Sequence, residues 1–284
     1  MRFAPSLCAT ALLLCFAVSA QPPGGGRGPG PGSMSEGLRQ ATALDLEGKY
    51  SEARQLIQKE IDSAADARAK ANAQRSMAMS YAFESNCGKT TEYERMVMAY
   101  WKTREAEEPA TAFYQQGEMA NEAARVCIDS GDLDAAAKLY KLGTELGLKE
   151  PGISADRKAL WEYRLAHAEA RIAARRNKPA EAKKAIVAAR TALDSMTTLK
   201  RQQETFFPYL TGYVALYLGD YQKALAELLQ ANQNDAFIQC LIAQTYEKLG
   251  EKEKALEYYK KAAGARAHNP PAAYAVPLAR KKLG

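Results

Sequence analysis

The sequence predicts an all-α protein made of about six antiparallel helix pairs stacked on one another. Of its 284 residues, 47% are apolar and 25% are charged, as is typical of a globular protein with a sizeable core. Alanine is abundant, β-branched residues are scarce, and no run of alternating apolar residues lies between turn signals, which argues against strands. Apolar residues instead recur at helical spacing between Gly or Asn turns, and this pattern repeats along the chain.

The clearest unit spans residues 236–264 and predicts two amphipathic helices joined by a tight turn. Neither helix can bury its apolar face alone, so the unit requires similar neighbours. Its pattern residues are Ile242, Ala243, Tyr246, Gly250, Ala255, Tyr259 and Ala262.

This unit resembles a tetratricopeptide repeat, because small or apolar residues stand at the positions where that family has them. Gln239 and Ala267 depart from the pattern, and the expected proline is displaced to Pro270 and Pro271. The resemblance implies a right-handed solenoid over residues 34–267 that binds proteins or peptides in its concave groove.

The first 20 residues predict a secretory signal peptide. Arg2 precedes an apolar run from Leu7 to Val18, and small residues end the segment at Ala20. The apolar run is shorter than the ~20 residues needed to span a bilayer, so an uncleaved anchor is the weaker alternative. We therefore expect a mature chain that starts at Gln21 and is exported to the periplasm or the cell exterior.

Residues 21–33 are expected to be a Pro/Gly-rich disordered linker, because such a composition cannot bury enough apolar surface to become ordered. Its glycines lack the preceding strand and the Lys-Ser/Thr ending of a phosphate-binding loop.

Two irregular copies of the repeat follow the linker. Ser33 and Glu36 have capping-box spacing before a first helix that Gly48 ends. In the second copy a long helix runs from about 66 to 84, a turn contains residues 86–88, and Thr91 with Glu94 is expected to cap the next helix.

The later copies turn at Gly131, Asn177, Gly219 and Gly250. Small side chains are expected to accept bulky ones between the helices, and the residues assigned to this packing in the third and fifth copies are Ala136, Tyr140, Ala224 and Leu228. Pro208 should kink its helix or mark the start of it. Residues 268–284 are expected to cap the end of the stack, with Pro277 disfavouring a straight helix there.

No residue pattern predicts catalysis, a metal or a cofactor. His167 and His268 are isolated from other ligand residues, and no nucleophile motif occurs. We therefore expect a protein that is not an enzyme and needs no cofactor, with His167 solvated or facing the groove.

Three cysteines remain after the leader: Cys87, Cys127 and Cys240. We expect no disulfide among them, with Cys127 and Cys240 facing inward as buried thiols and Cys87 as the reactive or intermolecular thiol.

The charge of +6 falls to +5 without Arg2, too small an excess to imply nucleic acid. A basic segment around Asn177 is expected to be mostly solvated surface: Arg171, Arg175, Arg176, Lys178, Lys183 and Lys184.

The family resemblance implies a ligand groove on the first helix of each pair. The corresponding residues here are Asn121, Arg125, Arg164, His167, Arg171, Tyr209, Tyr213 and Gln244. Such a basic and aromatic groove suits a peptide with acidic residues or a free C-terminus. The alternative is that the arginines pair with nearby glutamates on the helix surface.

These patterns favour a non-catalytic scaffold or adaptor that binds a protein or peptide. Two alternatives stay open: a structural envelope or assembly component that acts through self-association, and an enzyme without a visible motif.

Overall fold

The computed structural model describes residues 34–284, which are all-helical and contain no strand. The first half contains α1 (Glu36–Glu47), α2 (Tyr50–Asp62), α3 (Ala67–Ala82), α4 (Cys87–Thr103), α5 (Pro109–Ser130), α6 (Leu133–Gly147) and α7 (Ala155–Arg175). The second half contains α8 (Pro179–Ser195), α9 (Lys200–Glu204), α10 (Phe207–Tyr217), α11 (Tyr221–Leu228), α12 (Ala236–Lys248), α13 (Lys252–Ala263) and α14 (Pro270–Leu283). The expected signal peptide and linker lie outside these residues.

Helices that follow one another in the chain pack against one another. Each of α1 to α7 contacts the next helix along the chain, and α7 with α8, α10 with α11, and α12 with α13 form further pairs. None of the described helices combines the length and the apolar character needed to cross a membrane.

The last helix, α14, departs from this sequential order. It packs on α12 and α13, and it also reaches α3 and α5 in the first half of the chain. Ala272, Ala273 and Val276 of α14 share a buried cluster with Phe83 and Val126. Just before α14, His268 lies 2.9 Å from the Asp45 carboxylate and stacks on Phe83. The C-terminal segment therefore joins the two ends of the described chain.

The small and bulky residues assigned to packing lie in the core, apart from the turn residue Gly250. Those with at most 8% exposure are Ala136, Tyr140, Ala224, Leu228, Ala243, Tyr246, Ala255, Tyr259 and Ala262. Gly250 has φ +82°, a left-handed conformation that glycine adopts without steric cost. Gly131 and Gly219 end α5 and α10 in the same conformation.

Several boundaries differ from the sequence prediction. Ser35, rather than Ser33, caps α1 by accepting a hydrogen bond from the Leu38 amide. Asn86 caps α4, so Thr91 and Glu94 lie within that helix and Glu94 is buried. The capping-box pattern was misleading because Glu94 faces α5 across the helix pair rather than its own N-terminus.

The two prolines have different outcomes. Pro208 lies in the first turn of α10, so it marks the start of that helix, where a missing amide hydrogen costs nothing. Pro277 does not end α14, which continues through it to Leu283. Ala275, Val276 and Ala279 are buried around this proline, and their packing offsets the lost backbone hydrogen bond.

The expectation that no disulfide forms was also wrong. Cys87, the first residue of α4, is bonded to Cys127 on α5, with their Cα atoms 4.7 Å apart. Cys127 is indeed buried, but Cys87 is not a free thiol. Cys240 is the remaining free cysteine of the described chain, and burial raises its pKa to about 12. Packing of α4 on α5 creates this pairing, which helical periodicity alone does not specify.

Reduction of the Cys87–Cys127 bond should lower the free energy of unfolding by about 2–4 kcal/mol, since the bridge closes a loop with a sequence separation of 40. Chemical denaturation with and without reductant measures this difference. The Cys87→Ser/Cys127→Ser variant should have the same free energy of unfolding as the reduced protein, and reductant should not change it. The control variant Cys240→Ser should keep the full response to reductant.

Gly117 allows α5 to approach α6 closely. A Cβ atom there would lie 2.7 Å from the Gly143 carbonyl oxygen and 2.7 Å from Trp161. Gly117→Ala should therefore destabilise the protein by about 1–3 kcal/mol. Gly88→Ala is the matched control, because its nearest neighbouring atom is 3.8 Å away and α4 gains helix propensity. Equal stability of the two variants would contradict this account of the contact.

Candidate functional site: a buried arginine–tyrosine cluster

The predicted groove residues do not line an open surface, and this corrects the expectation from the sequence. Seven of them are at most 8% exposed: Asn121, Arg125, Arg164, His167, Arg171, Tyr209 and Tyr213. Gln244 alone is half-buried. Several of them face inward because α10 packs on α7 and α14 packs on α5. Phe237 of α12 covers Arg125.

Helix α5 supplies two neighbouring sets of charges, all of them buried except the half-buried Asp129. Glu118 and Glu122 lie near its middle, and Arg125 and Asp129 follow at helical spacing on towards its C-terminus. Residues four apart lie on the same face of a helix, so these side chains form one polar row. The two halves of this row have opposite charge balance.

The first half is an acidic cluster. Glu94, Glu118 and Glu122 are each at most 2% exposed. Arg75 forms an ion pair with Glu122, and Arg164 forms one with Glu118. For Arg164 the alternative interpretation, pairing with a nearby glutamate, therefore describes the structure, although the pair is buried rather than on the surface.

Glu94 is the third carboxylate of this cluster, and no N–H or O–H group of the described residues donates to its two oxygens. As a neutral acid it can itself donate a hydrogen bond to the Glu122 carboxylate. Burial and the neighbouring charge of Glu122 raise the pKa of Glu94 well above its ordinary value. When Glu94 is neutral, the acidic cluster contains two charged carboxylates and two guanidinium groups, so its charges balance.

The second half of the row leads into a group that we call the arginine–tyrosine cluster. Its buried members come from α5, α7, α10 and α12, and they are Arg125, His167, Arg171, Tyr209, Tyr213 and Phe237. Its half-buried members are Asp129, Arg175, Tyr217, Gln244 and Tyr274. We call these half-buried members the mouth of the cluster, because each of them is partly exposed to solvent.

Within this cluster Arg171 is held by phenol groups rather than by carboxylates. It donates hydrogen bonds to the hydroxyls of Tyr140 at 2.8 Å and Tyr209 at 3.2 Å, while its Nε has no partner. The Arg125 guanidinium lies over the Phe237 ring at 4.8 Å, and its Nε also has no hydrogen-bond partner. Two buried guanidinium groups therefore point donors into the cluster without an acceptor.

The mouth is built from aromatic rings and their polar contacts. Arg175 lies over the Tyr217 ring at 4.8 Å and donates a hydrogen bond of 3.4 Å to Tyr213. Gln244 donates to the Tyr274 hydroxyl at 2.9 Å, and the Tyr274 ring lies 5.0 Å from Phe237. Helix α14 therefore contributes one wall of the mouth.

Burial and the nearby arginine charges shift the pKa values of His167 and Asp129. Burial, together with the charges of Arg171 and Arg125, lowers the pKa of His167 well below its ordinary value, so the imidazole is neutral. Burial raises the pKa of Asp129 to about 6, although Arg125, Arg171 and Arg175 oppose this shift. Asp129 is therefore the carboxylate of the mouth that offsets part of the arginine charge at neutral pH.

Sequence reasoning missed Asp129, Phe237, Tyr217 and Tyr274. A usable signal existed for two of them, because Asp129 follows Arg125 by four residues and Tyr217 follows Tyr213 by four.

The basic segment around Asn177 is mostly solvated, and Arg171 and Arg175 are the exceptions. Arg171 is buried and Arg175 is half-buried. The rest of that segment is exposed, as expected: Arg176, Lys178, Lys183 and Lys184.

Comparison with models of known protein families gives no match for this chain. Comparison with curated proteins gives no significant match either. In the part of the chain that the structure describes, no group of three His, Cys, Asp or Glu side chains is arranged to hold a metal ion.

The acidic cluster makes stability depend on pH. The raised pKa means that folded Glu94 keeps its proton where the unfolded chain loses it, so stability falls as pH rises above about 4.5, the ordinary value. Glu94→Gln mimics the protonated side chain and should not show this loss. The stability of the variant relative to wild type should therefore increase between pH 4 and pH 8, as measured by urea unfolding.

Glu92→Gln, on the exposed face of the same helix, is the control. Its stability relative to wild type should stay the same between pH 4 and pH 8. A constant difference between Glu94→Gln and wild type at all pH values would show that Glu94 is ionised in the folded protein.

Proposed function

We propose that the protein is a non-catalytic, exported scaffold that binds an acidic segment of another protein at the mouth of the arginine–tyrosine cluster. Its helix pairs would form a right-handed solenoid resembling tetratricopeptide repeats, with α5, α7, α10 and α12 as the inner helices. The sequential packing of helix pairs supports this arrangement, since stacked repeats contact mainly their neighbours.

The observation that carries the proposal is the unmatched positive charge of the cluster. Arg125, Arg171 and Arg175 have no carboxylate within ion-pair distance among the described residues, whereas Arg164 is paired with Glu118. Guanidinium groups bind carboxylates through charge-assisted hydrogen bonds, and the tyrosines of the mouth add rigid contact area. An acidic segment therefore matches this surface better than a neutral or a basic one.

Helix α14 limits how the segment can bind. Tyr274 covers one side of the mouth, and the rest of α14 fills the space between α3, α5 and α12. We therefore propose that the partner contacts the mouth rather than running along the whole inner face.

The Cys87–Cys127 disulfide supports the proposed export, because such bonds persist in oxidising compartments such as the periplasm or the cell exterior.

Site-specific photo-crosslinking in the native cell tests the proposal. A photoreactive phenylalanine derivative replaces Tyr217 at the mouth, and a matched variant carries it at Tyr258, a half-buried tyrosine that packs against Tyr246 on a different surface. We expect adducts with other polypeptides from position 217 and not from position 258. Raising the salt concentration should lower the yield of these adducts, because salt screens the attraction between exposed charges.

The variant Arg175→Ala should reduce these adducts roughly tenfold, because a charge-assisted hydrogen bond contributes about 1.5–3 kcal/mol. Arg190→Ala is the control: Arg190 pairs with Asp194 and Glu204 away from the mouth. Adducts between two copies of this chain alone would contradict the scaffold proposal and favour self-association. Identical adducts from positions 217 and 258 would contradict the location of the binding surface.

A further inference from the structure

The interior of the arginine–tyrosine cluster has an unusual excess of hydrogen-bond donors. Arg125 and Arg171 are both 2% exposed, and the Nε of each has no acceptor. The Nε2 atom of His167 also lacks a partner in this region. Buried polar groups in proteins nearly always have a hydrogen-bond partner, so these unpaired atoms indicate that a bound group completes their hydrogen bonds.

The charges of the cluster are also unbalanced. Three guanidinium groups, those of Arg125, Arg171 and Arg175, face the two nearby carboxylates of Asp129 and Asp235. Asp235 is already bound to its own helix, because it accepts hydrogen bonds from the amides of Phe237 and Ile238 at the start of α12. One positive charge remains without a counter-charge.

The cluster has a buried interior and half-buried members at its edge. Asp129, Arg175, Tyr217, Gln244 and Tyr274 are half-buried around its mouth, whereas Arg125 and Arg171 lie behind them. The aromatic rings that surround the two arginines exclude bulk water, and a low local dielectric strengthens the attraction between guanidinium and an anion.

We propose that Arg125 and Arg171 form an internal binding site for one small oxyanion, either a carboxylate or a phosphate group. A singly charged oxyanion would balance the five charges of the cluster and accept hydrogen bonds from the unpaired guanidinium nitrogens. The inference rests on the proposed function for its route of entry through the mouth, but it requires no polypeptide ligand.

Asp129 has a particular position in this site. It lies one helical turn after Arg125 on α5 and is half-buried, and the charges of Arg125, Arg171 and Arg175 all act to lower its pKa. It therefore competes with a bound anion, both by repelling it and by reducing the positive potential. Removing the charge of Asp129 should strengthen anion binding, whereas removing an arginine charge should weaken it.

The test uses purified full-length protein at pH 7 with sodium acetate, sodium phosphate or sodium chloride at matched ionic strength. Binding is measured by calorimetric titration and by the midpoint of thermal unfolding. We expect acetate or phosphate, but not chloride, to raise the midpoint by about 5–10 °C at a hundredfold excess over Kd. Binding of acetate identifies a carboxylate as the ligand, and binding of phosphate alone identifies a phosphate group.

Three variants locate the site. Arg125→Met should weaken the binding by about tenfold or more, and Asp129→Asn should strengthen it roughly threefold to tenfold. Arg190→Met, at an exposed ion pair outside the cluster, should bind like wild type. If Arg125→Met does not fold, Arg125→Lys retains the charge but loses the planar fork, and it should still bind more weakly than wild type.

Equal effects of acetate, phosphate and chloride would overturn the inference, as would an Asp129→Asn variant that binds no more tightly than wild type. Either result would leave the crosslinking test of the scaffold proposal unaffected, because that test detects polypeptide partners. Conversely, anion binding without polypeptide adducts would retain this site and reject the proposed function.

Discussion

The pairing of buried charges along α5 is the constraint on which the rest of the structure depends. This helix carries Glu118, Glu122 and Arg125 on surfaces that neighbouring helices cover, and each of these charges is at most 2% exposed. A buried charge without a partner is costly, so the positions of the surrounding helices must supply counter-charges or hydrogen bonds. Arg75 on α3 and Arg164 on α7 do so for the two glutamates.

The same constraint distinguishes two buried regions: one in which the charges are balanced and one in which positive charge is left without a counter-charge. In the acidic cluster, protonation of Glu94 leaves equal numbers of positive and negative charges. In the arginine–tyrosine cluster, phenol hydroxyls replace carboxylates as acceptors for Arg171, and Arg125 rests over an aromatic ring. Neutral acceptors and ring faces stabilise a guanidinium less than an ion pair does, which is why the second cluster can accommodate an added anion.

Helix α14 links this chemistry to the architecture. By packing on α3, α5 and α12 it encloses the arginine–tyrosine cluster and connects the C-terminal helices to the N-terminal ones. Contacts such as His268 with Asp45 join residues 223 positions apart in the chain. The stability of the cluster is therefore tied to the docking of a short C-terminal helix, so the mouth beside Tyr274 depends on the whole of the described chain.

The sequence by itself determined the all-helical class and the turns that follow several helices, because helical periodicity and glycine turns such as Gly131 and Gly219 act over a few residues. It also identified Arg125 and Arg171 as residues of interest. Only the tertiary structure decided that these arginines are buried, that Cys87 bonds Cys127, and that α14 returns to α3 and α5. The physical reason is that burial and pairing depend on which helix faces meet across long sequence separations, and local residue patterns do not encode those distances.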